Sequence, residues 1–145
     1  MNREPSIRDI LEKSYPQLTS DQLKKLVEYY EFVMKWNKRI NLTTVTSVGE
    51  FAERHLGEAM FAAGCLSESI KEFWDIGSGL GIPGIPVAIL RPDIQVHLVE
   101  SNRKKSIFLE EAVDALSLSG VSVLNVRFET LGEFSAKACI AARAV

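Results

Sequence analysis

Residues 75–84 read Asp75-Ile76-Gly77-Ser78-Gly79-Leu80-Gly81-Ile82-Pro83-Gly84, a glycine-rich turn set between two apolar runs. Glycine tolerates positive φ and lets another group approach the backbone with no Cβ in the way. Such a turn between a strand and a helix is the ligand corner of a doubly wound sheet, whose crevice lies at the carboxyl ends of the strands. This one segment therefore fixes the kind of fold the chain can adopt.

The flanking pattern agrees. A short strand is predicted over 73–76, and a short helix over 83–90 that stops at Arg91-Pro92, because a residue before proline avoids helical dihedrals. A strand over 94–99 alternates apolar residues. Ser101 or Asn102 can cap the next helix, with Phe108, Leu109, Ala112, Val113 and Leu116 on its buried face. Ser119-Gly120 is expected to end it, glycine supplying the left-handed cap. Strands over 121–126 and 138–145 follow. Strands alternating with helices imply a parallel sheet with right-handed crossovers, so the class is α/β.

Residues 1–68 read instead as helix. Thr19 with Gln22 forms a capping box ahead of the stripe Leu23, Leu26, Val27, Tyr30, Val33 and Met34. Ser47 with Glu50 forms a second, ahead of Ala52, His55, Leu56, Ala59, Met60 and Ala63. The expected division is a helical region over 1–68 and a ligand-binding part over 69–145. The sequence stops on the fourth strand, and the expectation is a sheet cut short there, leaving one side of that strand unpaired.

Composition sets the function classes. The chain is 46% apolar and 25% charged, with a net charge of −2, which argues against a protein wrapped in nucleic acid but not against a local basic patch. No apolar run is long enough for a membrane span and the first residues lack a signal-peptide core, so the expected location is cytoplasmic. Cys65 and Cys139 are far apart and without a neighbouring histidine, so no metal site and no redox motif are expected.

The glycine turn has a partner in Glu100, which ends the second strand 19 residues after Gly81. An acidic side chain there accepts hydrogen bonds from a ribose diol, so the pair points to a nucleoside cofactor. The turn also satisfies the dinucleotide fingerprint, and an NAD-binding oxidoreductase domain is the alternative. Pyrophosphate needs free N–H groups at a helix N-terminus, whereas Pro83 and Pro86 have none. Asp75 adds negative charge that suits the ammonium and sulfonium of S-adenosyl-L-methionine better than a pyrophosphate.

The run Asp75-Ile-Gly-Ser-Gly-Leu-Gly-Ile-Pro-Gly-Ile-Pro resembles the signature of the RsmG (GidB) methyltransferases, with prolines on both sides of the last glycine. Trp36-Asn37-Lys38, Asn41-Leu42-Thr43, Arg54-His55, Arg103-Lys104-Lys105 with Phe108-Leu109, and Arg143-Ala144 resemble further motifs of that family. The resemblance runs from about Leu23 to the last residue. It implies a Rossmann-like class I methyltransferase fold with an N-terminal helical extension. The implied reaction is methylation of guanine N7 in 16S ribosomal RNA, with the small ribosomal subunit as partner and S-adenosyl-L-methionine as donor. Carried over by position, Gly77 and Ile82 would line the methionine and adenosine side, and Gly79 would give backbone clearance. Glu100 would hold the ribose, Phe128 and Glu129 would border the adenine, and Arg143 would stand at the mouth of the target site. Arg127 is a candidate for cofactor or RNA contact.

Glu58 and Ala59 stand where the family usually has an Asp-Ser pair, and the family's lysine-bearing segment beyond the fourth strand has no counterpart here. A truncated, non-catalytic cofactor-binding remnant is therefore a further alternative. Guanine N7 has a lone pair and no proton to lose, so no catalytic acid–base pair is assigned. His55 sits in an apolar stripe and reads equally as a core histidine or a functional one. Arg143, on a small and apolar strand, reads as functional, because an arginine there needs a partner. Lys35, Lys38 and Arg39, with Arg103, Lys104 and Lys105, form two basic clusters that read as a solvated face or as phosphate contacts.

Overall fold

The computed structural model describes residues 3–142. Its amino-terminal helices begin where short polar side chains satisfy the first free N–H groups. Ser6 caps α1 (Ile7–Ser14) in a reciprocal box with Asp9, and Thr19 caps α2 (Ser20–Asn37) in the predicted box with Gln22. Ser47 caps α3 (Val48–Glu50) through the Glu50 N–H. The Glu50 carboxylate does not complete the second predicted box; it pairs with Arg54 at 2.8 Å. A π turn, Phe51–Leu56, then leads into α4 (Gly57–Gly64).

From residue 72 strands and helices alternate: β1 (Glu72–Ile76), α5 (Gly84–Leu90), β2 (Gln95–Val99), α6 (Arg103–Ala115), β3 (Val121–Leu124) and β4 (Ala138–Ala142). Asn102 is the residue that caps α6. All pairings are parallel, and the strand order is β3-β2-β1-β4. Order reverses between β1 and β4, the switch point at which such sheets place a ligand crevice. This is a Rossmann-like α/β fold.

The end of α6 departs from expectation. Gly120 does not supply the left-handed residue; Ser117 does, at φ 54°. Leu118 N–H donates to the Val113 carbonyl at 3.0 Å and Ser117 N–H to that of Asp114 at 3.1 Å, so the helix is closed before the glycine is reached.

Alternation along the strands sorts the sheet into two faces. Phe73, Val96, Leu98 and Cys139 face α5 and α6 within one hydrophobic cluster, over which α2 and α4 form a further layer. The cluster runs without a break from Ile7 and Leu11 to Leu116 and Leu118. The opposite face carries Trp74, stacked on His97 with ring centroids 4.1 Å apart and met edge-on by Phe134 at 5.0 Å.

Candidate functional site

The glycine turn is clasped from several sides. Gly77, Gly79 and Gly81 have φ of 69°, 58° and 96°, values that side chains strain to adopt. Asp75 is fully buried, and its Oδ2 accepts from Ser78 Oγ at 2.8 Å and from Gly84 N–H at 3.0 Å. A Cβ on Gly84 would overlap Leu98 Cδ2 and lie 2.7 Å from that same carboxylate oxygen. From outside the sheet, Tyr29 Oη donates to the Leu80 carbonyl at 2.6 Å. Gly77 and Ser78 N–H both donate to the Val99 carbonyl, at 2.9 and 3.0 Å.

This corrects the expected part of Asp75. Its carboxylate presents no surface to a ligand; it braces the loop. The donors at the head of α5 are taken as well. Gly84 N–H is held by Asp75, Ile85 N–H by the Gly81 carbonyl at 2.7 Å, and Val87 N–H by the Pro83 carbonyl at 2.9 Å. Pro83 and Pro86 have no N–H. Residues 81–89 are buried throughout. Nothing at this helix end is left to receive a pyrophosphate.

Glu100 stands at the carboxyl end of β2. Its Oε1 accepts from Gly79 N–H at 2.8 Å and its Oε2 from Asn102 N–H at 2.9 Å. A carboxylate has about four lone-pair positions, so each oxygen keeps a position for a hydroxyl donor. Beside it lies an open cleft of about 350 Å³ at the carboxyl ends of β1, β2 and β3. Ile76, Gly77, Val99 and Ser101 form one wall, and Val126, Arg127, Phe128 and Glu129 the other. Phe128 and Glu129 belong to a 3-10 turn, Phe128–Thr130, and Phe128 is 50% exposed, which leaves half of its aromatic surface open.

Of the residues predicted from sequence, Gly77, Phe128 and Glu129 thus come together on one cleft, with Arg127 beside Phe128 on the same wall. Gly79 and Glu100 join as a hydrogen-bonded pair; neither lines the cleft, and Glu100 lies in sequence between the lining residues Val99 and Ser101. Ile82 has no exposed surface and lies in the hydrophobic cluster, so its side chain supports the turn from beneath. Arg143 lies outside the described residues.

Two contributors escaped sequence reasoning. Asn125 Nδ2 donates to the carbonyls of Glu100 (2.9 Å) and Ser101 (3.1 Å), tying the exit of β3 to that of β2 and so joining the two cleft walls. Its signal was a lone amide at a strand end. Tyr29 was visible only as the step between Leu26 and Val33 at helical spacing, in place of the neighbouring Tyr30.

The motifs around Asn37 and His55 form one network. Asn37 Oδ1 accepts from the N–H groups of Leu42 and Thr43 at 2.9 and 3.1 Å, and Asn37 Nδ2 donates to the Thr43 carbonyl at 3.0 Å. Thr43 Oγ1 lies 2.9 Å from His55 Nε2, and His55 is buried against Phe51. These residues fix the chain leaving α2.

Residues 22–145 match the sequence model of the family described as rRNA small subunit methyltransferase G, GidB. The protein named ribosomal RNA small subunit methyltransferase G from Nitrosomonas europaea is 40% identical over 134 residues, which is 90% of this chain and 61% of that protein. That from Roseiflexus sp. is 38% identical over 116 residues, 80% of this chain and 50% of the relative. That from Xanthomonas axonopodis pv. citri is 41% identical over 125 residues, 83% and 56% respectively. The chain therefore spans 50–61% of the length of these relatives. Among the described residues no helix is long and apolar enough to cross a membrane. A clasped glycine corner, an acid at the end of the second strand and a match over 22–145 converge on one conclusion: the chain belongs to the rRNA small subunit methyltransferase G family.

Proposed function

We propose that this chain forms the donor-binding part of a cytoplasmic enzyme that methylates N7 of a guanine in 16S ribosomal RNA of the small ribosomal subunit, using S-adenosyl-L-methionine. The observation that carries the reading is the pairing of a nucleoside-sized cleft with a helix end that has no free N–H donors. The first fits an adenosyl group, and the second is unsuited to the pyrophosphate of NAD.

In this reading the remaining lone pairs of Glu100 accept from the ribose hydroxyls. Gly77 gives clearance beside the methionine portion, and Gly79, held by Glu100, keeps the turn open. Phe128 supplies a flat apolar wall for the adenine, with Glu129 at its edge. Ile82 backs the turn, and Arg143 stands near the target site. When bound, the sulfonium supplies an electrophilic methyl group. N7 of guanine attacks with its own lone pair, so the residues have no proton to remove. Their work is positional: a splayed-out base held in line at about 3–3.5 Å from the methyl carbon.

Isothermal calorimetry with S-adenosyl-L-methionine and with NAD, in separate titrations, tests the donor. Saturable heat with the first is expected; heat with NAD alone overturns the reading.

A further inference from the structure

Resting on the RNA-methylating reading, we infer that α2 and α6 together build an RNA-phosphate docking surface that leads into the cleft. It consists of Lys38, Arg39, Arg103, Lys104, Lys105 and Arg127. The two basic runs are more than sixty residues apart in sequence, and the aromatic packing brings them together. Trp36 meets Phe108 edge-on at 5.7 Å, and Phe32 meets the same ring at 5.6 Å. Lys38 and Arg39 follow Trp36 directly, and Lys104 and Lys105 lie one helical turn before Phe108. The cations of both runs therefore border one junction.

Several observations favour a ligand over a merely solvated face. Arg3, Arg8, Lys24, Lys25, Arg54 and Arg91 each pair with a carboxylate. None of the six cations named here forms an ion pair among the described residues, and all but the half-buried Lys105 are exposed. Unpaired cations gathered on a chain of net charge −2 repel one another without an anionic partner. Arg39 is also laid over the Trp36 ring, 5.8 Å from its centroid, which holds its guanidinium at the junction.

The patch continues to the site. Arg103 opens α6 two residues after Ser101, and Ser101 and Arg127 lie on opposite walls of the cleft. A polyanion tracking the surface from Lys38 to Arg103 is delivered to the cleft mouth. Phosphate contacts carry register and affinity, not sequence.

Fluorescence anisotropy with a labelled 16S-derived RNA hairpin tests this. The proteins are the 145-residue chain, a triple variant Lys38→Glu/Lys104→Glu/Lys105→Glu, and a control of equal charge change, Lys13→Glu/Lys24→Glu/Lys25→Glu. The patch variant is expected to bind at least about tenfold more weakly, with the slope of log K against log salt smaller by about 2–3. The control is expected to stay within about twofold in affinity, with an unchanged circular dichroism spectrum. Equal weakening in both triples, no loss in the patch variant, or no RNA binding by the parent chain at low salt overturns the inference. So does tighter capture by phosphatidylglycerol vesicles than by RNA. Calorimetry with S-adenosylhomocysteine separates the two readings. Lost RNA binding with donor heat retained locates the effect in the patch. RNA binding by the parent without donor heat sinks the methyl-transfer reading and leaves the docking surface standing.

Discussion

Gly84 has a role that no side chain could share. Its N–H bonds Asp75, and a Cβ there would press on Leu98 and on that same carboxylate. Gly84→Ala is expected to destabilise the chain by about 1–3 kcal/mol, as overpacking does, read as a lower urea midpoint at unchanged m-value. Glu100→Gln keeps the shape but loses the charge that strengthens a hydroxyl hydrogen bond. Affinity for S-adenosylhomocysteine, measured by calorimetry, is expected to fall about tenfold. The turn and Glu100 were legible in the sequence because both are set by backbone chemistry within a short span. The work of Asp75 was not legible: a carboxylate beside a glycine turn can face a ligand or face inward, and only packing decides. His97 adds a pH response. Burial against Trp74 lowers its pKa below 6.5, with Glu72 pulling the other way more weakly. As pH falls through 6.5 the unfolded chain takes up that proton first, so stability declines until the folded-state pKa is passed. Urea midpoints at pH 7.5, 6.5 and 5.5 are expected to fall in that order, and His97→Gln is expected to flatten the trend.

At the scale of elements, caps and periodicity settled most boundaries, and α6 shows where they stop. A glycine four residues after Leu116, the last position of the predicted apolar stripe, attracts the left-handed assignment, yet the chain had already turned at Ser117. Leu116 and Leu118 are both buried, and seating both on the core pins the reversal between them. Ser117→Gly is therefore expected to raise stability by about 0.5–1 kcal/mol. Relief of the left-handed penalty exceeds glycine's extra unfolded entropy, and chemical denaturation measures the difference. The wall from Val126 to Glu129 was reached only through family resemblance. Its short turn has no repeat or amphipathic stripe, and its place over β1 and β2 depends on Asn125 reaching across the sheet.

At the scale of the whole molecule, the helical region and the sheet share one core. Tyr29 links them chemically, since its hydroxyl meets the Leu80 carbonyl 51 residues away. Tyr29→Phe is expected to lower stability by about 1 kcal/mol through loss of a buried hydrogen bond. Tryptophan fluorescence and far-ultraviolet circular dichroism should still trace a single coincident transition. Separate transitions would show that helices and sheet unfold independently. The clasp itself has a thermodynamic corollary. With Asp75, Glu100, Tyr29 and the Val99 carbonyl already holding the turn, the nucleoside proposed to bind there would meet a finished mould. Little chain entropy would then be surrendered on association, and each contact made there would register almost undiminished in affinity.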